Sequence, residues 1–372
     1  MATQSTGKLR AAGIWALRAL AIILVIGSLM STTDYNQWWI RIWDFPRVQI
    51  FLLMAATGVA LWFLDRTWRP WLPVLIAGFA VWQAYRIFPY TALAPSEVAL
   101  VESSEVDTQT CFSILTLNVL QSNRDYQRTI DLIERSDADI VLLTETDRAW
   151  ADAVAPALSG YPGQIAQPID NTYGMLFATR LPMSDASIQD LAQADTPSVF
   201  ATLSVGGRGF RMIGLHPRPP KPRQDTDERD AELIVAARMA RDMQMPVLAL
   251  GDFNDVAWSD TTRLFTDIGG FLDPRIGRGT YATFPSGAVW LGWPLDHLFA
   301  TEEFLLESMS VGKSVGSDHR PVHARMCLSP RTGRALNDDT ERPDREDEQD
   351  AAEVMQEFEE DEAQDAIEGE ES

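Results

Sequence analysis

Eight residues of acid–base or metal-binding type stand at the ends of apolar runs in this chain of 372 residues: Asn118, Glu145, His216, Asp252, Asn254, Asp296, Asp318 and His319. The stretch VLALGDFNDVAW at 247–258 shows the pattern most clearly, its apolar start running straight into Gly251, Asp252 and Asn254. Ionised carboxylates are almost never buried without a partner or a metal ion. One reading of the stretch is a turn, since Gly, Asp and Asn are common turn formers. The other is a site at a strand end, built from oxygen donors that suit a hard cation and from imidazoles that move protons. Four histidines are present, at 216, 297, 319 and 323, and the first three fall within such polar clusters.

Positioning these groups falls to short apolar runs that alternate with helical patterns after residue 110. CFSILTLN (111–118), DIVLLTE (139–145), GMLFATR (174–180), FRMIGLH (210–216), VLALGD (247–252), LDHLFA (295–300) and PVHARMCL (321–328) read as strands. Segments 124–136 and 228–243 read as amphipathic helices, with Tyr126, Ile130 and Ile133 on one face of the first. Such alternation predicts an α/β domain with a well-buried sheet over residues 111–328. Polar side chains gathered at strand ends are how α/β folds build sites.

The rest of the chain divides by charge. Residues 1–90 hold eight Lys+Arg against three Asp+Glu, and eight of the twelve tryptophans. Segments 11–30, 48–64 and 71–90 read as three transmembrane helices forming a membrane anchor over 1–90, since a span needs about 20 mainly apolar residues. Trp38, Trp39, Trp43, Trp68 and Trp71 flank these runs as interfacial aromatics do. A secretory signal over 1–30 is the rival reading, and the two apolar runs that follow disfavour it. Lys8, Arg10, Arg18, Arg66 and Arg69, against Arg41 and Arg47 in the first loop, favour a cytoplasmic N-terminus. Three spans then carry everything after residue 90 across a bacterial inner membrane to the periplasm. Residues 91–110 read as a polar linker. Residues 331–372 carry four basic against eighteen acidic residues, which predicts a disordered acidic tail over 329–372, with an acidic interaction arm as the alternative.

Taken in order, N…E…HP…GDFND…LDH…SDHRP, the polar clusters resemble the endonuclease/exonuclease/phosphatase superfamily over residues 111–328. The N-terminal anchor is similar to that of a bacterial membrane-bound branch. The resemblance implies a four-layer α/β sandwich, two packed β-sheets flanked by helices, with a divalent metal at one end, Mg2+ or alternatively Mn2+. It implies Glu145 as the principal ligand, with Asn118 and Asp318 completing or supporting the shell. A helix N-cap before DRAW is the structural alternative for Glu145, and a turn amide for Asn118. It further implies His319 as general base oriented by Asp296, and His216 on the other side of the phosphorus. Asp252 and Asn254 would hold the nucleophile and the phosphoryl oxygens. For His216 or His319 singly, a buried structural histidine is the alternative. His297 reads as a cap of the strand start or as a hydrogen-bonding residue of the site rim, His323 as structural or surface, and Asp255 as part of a turn. Arg218, Lys221 and Arg223 in HPRPPKPRQ either meet an anionic substrate or belong to a solvated Pro-rich loop.

In the family fold the first and last strands are antiparallel neighbours, so the resemblance also implies a Cys111–Cys327 disulfide at the end away from the site. An oxidising compartment favours such a bond. Residues 91–330 carry nineteen basic against thirty-two acidic residues, with Lys221 and Lys313 as their two lysines, which argues against long nucleic acid as substrate. The expected function is a membrane-anchored, metal-dependent phosphoesterase acting on a lipid head group, a small molecule or nucleic acid, with diester and monoester both open. The alternatives are a nuclease acting on DNA or RNA, and a catalytically inactive membrane-tethered binding module on the same fold. The aromatic, Gly-rich stretch 277–297 is expected to form a wall near Asp296, to stack a base, seat a head group or merely pack.

Overall fold

The apolar runs after residue 110 fold as strands because both of their faces are covered, which leaves no polar stripe for solvent. The computed structural model describes residues 2–33, 35–219, 225–288, 291–340 and 342–371, the side chains of 2–7 and 365–371 excepted. Its strands are β1 Cys111–Asn118, β2 Ile140–Thr144, β3 Gly163–Gln167, β4 Met175–Thr179, β5 Met183–Asp190, β6 Pro197–Val205, β7 Arg208–Leu215, β8 Val247–Asp252, β9 Asp296–Ala300, β10 Phe304–Val311 and β11 Val322–Leu328. Its helices are α1 Ala2–Met30, α2 Trp38–Arg41, α3 Arg47–Leu64, α4 Trp71–Ile87, α5 Tyr126–Ser136, α6 Arg148–Val154, α7 Asp227–Asp242, α8 Asp260–Gly269, α9 Pro330–Leu336 and α10 Arg345–Glu371.

One sheet has the strand order β10-β11-β1-β2-β4-β3 and the other β5-β6-β7-β8-β9. Alternate side chains, Phe112 and Ile114 on β1, Val199 and Ala201 on β6, Leu248 and Leu250 on β8, meet in one buried core between the sheets. Each fully buried Leu, Ile, Val or Phe contributes about 1.5–3 kcal/mol there. The intervening residues face outward: Leu115 and Val141 pack under Ile133 of α5 and Trp150 of α6. On the other sheet Ile213 and Ala249 pack under Leu233 of α7 and Phe265 of α8. Helix, sheet, sheet, helix make four layers.

Four strands lie outside the seven apolar runs that stand out in the sequence. β3 is a short edge strand, β5 is an edge of mostly exposed polar residues, and Ser198, Thr202 and Ser204 interrupt the apolar character of β6. In β10 the apolar part is only the opening Phe304–Leu306. The linker is also more than a tether, since Val101 donates to Leu306 and Leu306 to Ala99 along the edge of β10. Cys111 stands opposite Cys327 in the β1–β11 register, and the two are joined as a disulfide at the far end of β1 from Asn118.

The acidic tail departs from the expectation of disorder. Its helix α10 seats Ala351, fully buried, in the core of α7 and α8, with Val354 and Met355 packed beside it. Overall composition hides this narrow apolar stripe because acidic residues fill the rest of the helix surface. α7 also buries Arg229, Asp230 and Glu232, which are satisfied by Asp255, Thr226 and Ser198 respectively.

At the N-terminus, three helices are long and apolar enough to cross a membrane: Lys8–Met30, Arg47–Leu64 and Trp71–Tyr90. They pack through Ala21, Leu24, Ile50, Met54, Leu61 and Ile76. Arg18, the one charge inside the first apolar run, forks onto both carboxylate oxygens of Asp65 at 2.6 and 2.8 Å, which sets it level with the end of α3. At the other end of the bundle, buried Arg47 pairs with Asp44 and donates to Gln83 Oε1 and the Ser31 carbonyl. The α/β domain sits against this second end. Trp258 Nε1 donates to the Asp44 carbonyl at 2.7 Å, Arg86 donates to the Trp258 carbonyl at 2.6 Å, and the Tyr90 hydroxyl donates to the Ala257 carbonyl.

Candidate active site

Strand register assembles the polar residues at one end of both sheets. Asp252, the last residue of β8, faces Asp296, the first of β9. His216 follows Leu215, whose partner on parallel β8 is Gly251. Gly251 has φ 141°, and a Cβ on it would lie 2.0 Å from the Leu215 carbonyl oxygen, so only glycine lets the two strands approach here. In the other sheet Asn118 pairs with Thr144, which places Glu145 just beyond it. Glu145 and Asn254 occupy the left-handed region, with φ 59° and 51°. Asn tolerates that conformation; for Glu it is strained, a feature that collects at functional sites.

The side chains then touch one another. Asn118 Nδ2 donates to Glu145 Oε1 and to Asp252 Oδ2, both at 2.9 Å, bridging the two sheets. The Gln121 N–H donates to Glu145 Oε2 at 2.9 Å. Asp252 Oδ2 lies 3.8 Å from His216 Nε2 and 3.5 Å from His319 Nε2. On its far side His319 Nδ1 is 2.8 Å from Asp296 Oδ2. The Asn254 N–H donates to Asp252 Oδ1, and its amide Nδ2 to the Pro217 carbonyl, which ties the loop after β8 to the segment after β7. Ser317 donates to the Asn118 carbonyl at 2.6 Å and accepts the His319 N–H at 2.9 Å. Aromatic walls stand on both sides, Phe284 5.0 Å from the His319 ring and Tyr173 5.6 Å from the His216 ring.

Burial sets the proton affinities. It pushes the His216 imidazole down to about 4, despite Asp252, so this ring is neutral at physiological pH. Burial alone would also lower His319, but Asp252 and Asp296 outweigh it and hold the ring up at about 10. For Asp252, burial raises the carboxyl against the pull of the two histidines. Donor atoms of Asp252, Asp296 and His319, all buried, lie within 4.8 Å of one another. With His319 Nδ1 committed to Asp296, this trio reads as a proton-handling set.

A hard divalent cation fits the neighbouring oxygens. Each Glu145 carboxylate oxygen accepts one N–H and keeps a lone pair, and the side chain is only partly buried. Asp318, also partly buried, lies beside Ser317, which contacts Asn118 in turn. Asn118 turns its amide nitrogen to Glu145 while its Oδ1 accepts the Leu120 N–H at 2.9 Å, so the carboxylates are the oxygens open to a cation. A carboxylate or two suits a cation that keeps several waters.

Other sequence candidates fall outside this set. His297 is fully buried, 2.7 Å from Arg275 Nη2 and 3.0 Å from the Asp255 carbonyl, and serves packing. Asp255 does more than turn the chain: it faces Arg229 at 3.5 Å and accepts the Ser259 hydroxyl at 2.6 Å. His323 lies within β11. Arg218 donates to Thr196 Oγ1 and the Ala194 carbonyl and lies over Tyr173, beside His216. Lys221 and Arg223 lie outside the described residues. Phe284 belongs to the aromatic stretch expected near Asp296, and Ser317 opens the SDHRP motif. Gln121 and Tyr173 contribute without having been singled out, since no spacing distinguishes them from ordinary polar or aromatic residues.

The model of the Endonuclease/Exonuclease/phosphatase family matches residues 115–319, more than half of the chain. The chain belongs to this family. Among solved structures, this family member is similar to an endonuclease/exonuclease/phosphatase from Bacteroides vulgatus at 18% identity, TM-score 0.49, over 59% of this chain and 100% of that one. It is similar to a humanized TDP2 of D. rerio at 15% identity, TM-score 0.49, over 58% and 99%. The human Nocturnin catalytic domain is similar at 17% identity, TM-score 0.48, over 60% and 97%. No match to a curated protein was found. Hydrolysis of phosphoester bonds is the chemistry of this family, and the assembled residues of its new member are of the types that chemistry needs.

Proposed function

We propose that the chain is a membrane-anchored, divalent-metal-dependent phosphoesterase that cleaves its substrate by in-line attack of water. The observation that carries this reading is the Asp252 carboxylate, reached at once by the Asn118 amide and both site imidazoles. Glu145 and Asp318 would hold the cation, with Asn118 supporting Glu145 through its amide N–H. Such a cation supplies positive charge against a phosphoryl oxygen when bound, as Mg2+ or Mn2+ does. Asn254 fixes one Asp252 oxygen, leaving the other turned to His319. A water hydrogen-bonded beside this pair, whose facing atoms stand 3.5 Å apart, gives its proton to Asp252 as it attacks phosphorus. This reading shares the base role expected of His319 with Asp252, because His319 starts out cationic. Asp296 fixes the orientation of His319 through Nδ1. His216, neutral, offers a hydrogen bond to the phosphate from the opposite side rather than a ready proton.

In this reading three spans with the N-terminal cations on the cytoplasmic side would carry the domain to the periplasm, and the Cys111–Cys327 disulfide supports that compartment. The test is an assay of the full chain against aryl phosphodiesters and monoesters, plasmid DNA, phospholipids and inositol phosphates, each with Mg2+, Mn2+ or EDTA. Metal-dependent turnover that His319→Ala abolishes supports the enzyme. Silence across the whole panel overturns it in favour of a binding module.

A further inference from the structure

We infer that the phosphoester is presented by an amphiphile lying in the bilayer, the aromatic wall of Phe284 and Trp293 bringing its head group to His319 at the membrane surface; this rests on the phosphoesterase reading above. Three ring-to-ring steps lead from the site to the stem: His319 to Phe284 at 5.0 Å, Phe284 to Trp293 at 6.1 Å, and Trp293 to Phe45 at 5.6 Å. Phe45 stands two residues before Arg47, the first residue of α3. The same apolar cluster takes in Val48, Ile87 and Tyr90 from the stem and Trp258 and Leu295 from the domain.

The domain is held in this attitude. Its bonds to the stem leave from Ala257 and Trp258, a few residues past Asp252 and Asn254 on the same loop, and Arg86 also pairs with Asp260 at 2.9 Å. The catalytic groups therefore keep a fixed height above the spans instead of swinging on the linker. The polar layer of one leaflet is about 5–7 Å deep. A lipid phosphate in that layer lies within a few ring widths of His319. Large apolar side chains remain exposed in the segments at this junction, Ile42 and Phe88 on the stem side, Leu93 at 84% exposure, and Leu291 on the wall at 58%. Such side chains suit an interface better than water.

Charge points the same way. A polyanion needs a basic track, and the acidic domain offers Arg218 beside His216 with few lysines. A single head group brought in by its apolar part needs no such track.

The test compares two esters with the same scissile bond, hexadecyl p-nitrophenyl phosphate and methyl p-nitrophenyl phosphate, using the full chain in phosphatidylcholine nanodiscs with Mg2+ or Mn2+. The expected result is a kcat/KM about tenfold or more higher for the hexadecyl ester, falling as added lipid dilutes the ester in the surface. Phe45→Ala is expected to shrink that ratio. Equal turnover of both esters, or a ratio that Phe45→Ala leaves unchanged, overturns the inference while the phosphoesterase reading stands. No turnover of either ester overturns the inference, and it removes the phosphoesterase reading too where the wider panel above is also silent.

Discussion

The indole Nε1 of Trp258 donates a 2.7 Å hydrogen bond to the main-chain carbonyl of Asp44, joining the loop that carries Asp252 and Asn254 to the foot of α3. The anchor is thus a structural neighbour of the chemistry. A single stretch, GDFNDVAW, contributes to the candidate site with its first half and contacts the N-terminal helices with its second.

Trp258→Phe keeps an aromatic ring but removes the Nε1 donor together with part of the buried indole volume. Leaving the Asp44 carbonyl unpaired should cost about 1–3 kcal/mol, read as a lower unfolding temperature of the full chain in detergent. Because the loop is shared, kcat should fall more than KM rises. An unchanged kcat at reduced stability would separate the stem from catalysis.

Glu145→Gln removes the charge that the cation would see while keeping size and shape. Loss of a supporting partner alone costs about 10–100-fold in metal affinity, so Mn2+ binding followed by paramagnetic resonance should weaken by at least that much. Circular dichroism should be unchanged. Wild-type Mn2+ affinity in the variant would remove Glu145 from the ligand set.

Burial raises the Glu232 carboxyl to about 8, against the Ser198 hydrogen bond that favours its ionised form. The folded chain therefore holds this proton more tightly than the unfolded chain does. The resulting stability is complete below about 4.5, the ordinary value, and is lost as pH rises through about 8. At about 1.4 kcal/mol per unit, Glu232→Gln should be more stable than the parent by a few kcal/mol at alkaline pH. Denaturant titrations from pH 5 to 9 should show the two converge at the acid end.

Replacing both Cys111 and Cys327 by serine should cost about 2–5 kcal/mol of stability. The bond lies at the opposite end of β1 from Asn118, so kcat and KM should hold at temperatures where the fold survives. Mass spectrometry of the non-reduced parent should show no free thiol.

How much of this was legible in the sequence depended on whether a residue's surroundings lie nearby in the chain. The strands of the site stand out because each is an apolar run ending in a polar residue, and β1 and β8 have their observed bounds in the sequence pattern alone. β6 does not stand out, since its covered hydroxyl residues look like surface until β5 and β7 flank it. Seven of the eight site residues interlock through direct contacts, while Asp318 joins them through Ser317. Ser317 opens the SDHRP motif, yet its role was not legible there, because only the fold brings its hydroxyl to the Asn118 carbonyl. The helix α10 was missed for a related reason, because its apolar stripe has meaning only against the groove that α7 and α8 supply.

That last helix bears on how the chain tolerates being shortened. Ala351 fills a seat in the domain, and Glu357 accepts a bond from Asn36 in the first loop of the stem at 3.3 Å. Cutting after residue 344, which composition alone would recommend as tidy trimming, would bare greasy surface on α7 and α8 and remove a strut at the membrane join. The shortened protein would be stickier than its parent, and a poorer object for crystallisation or assay.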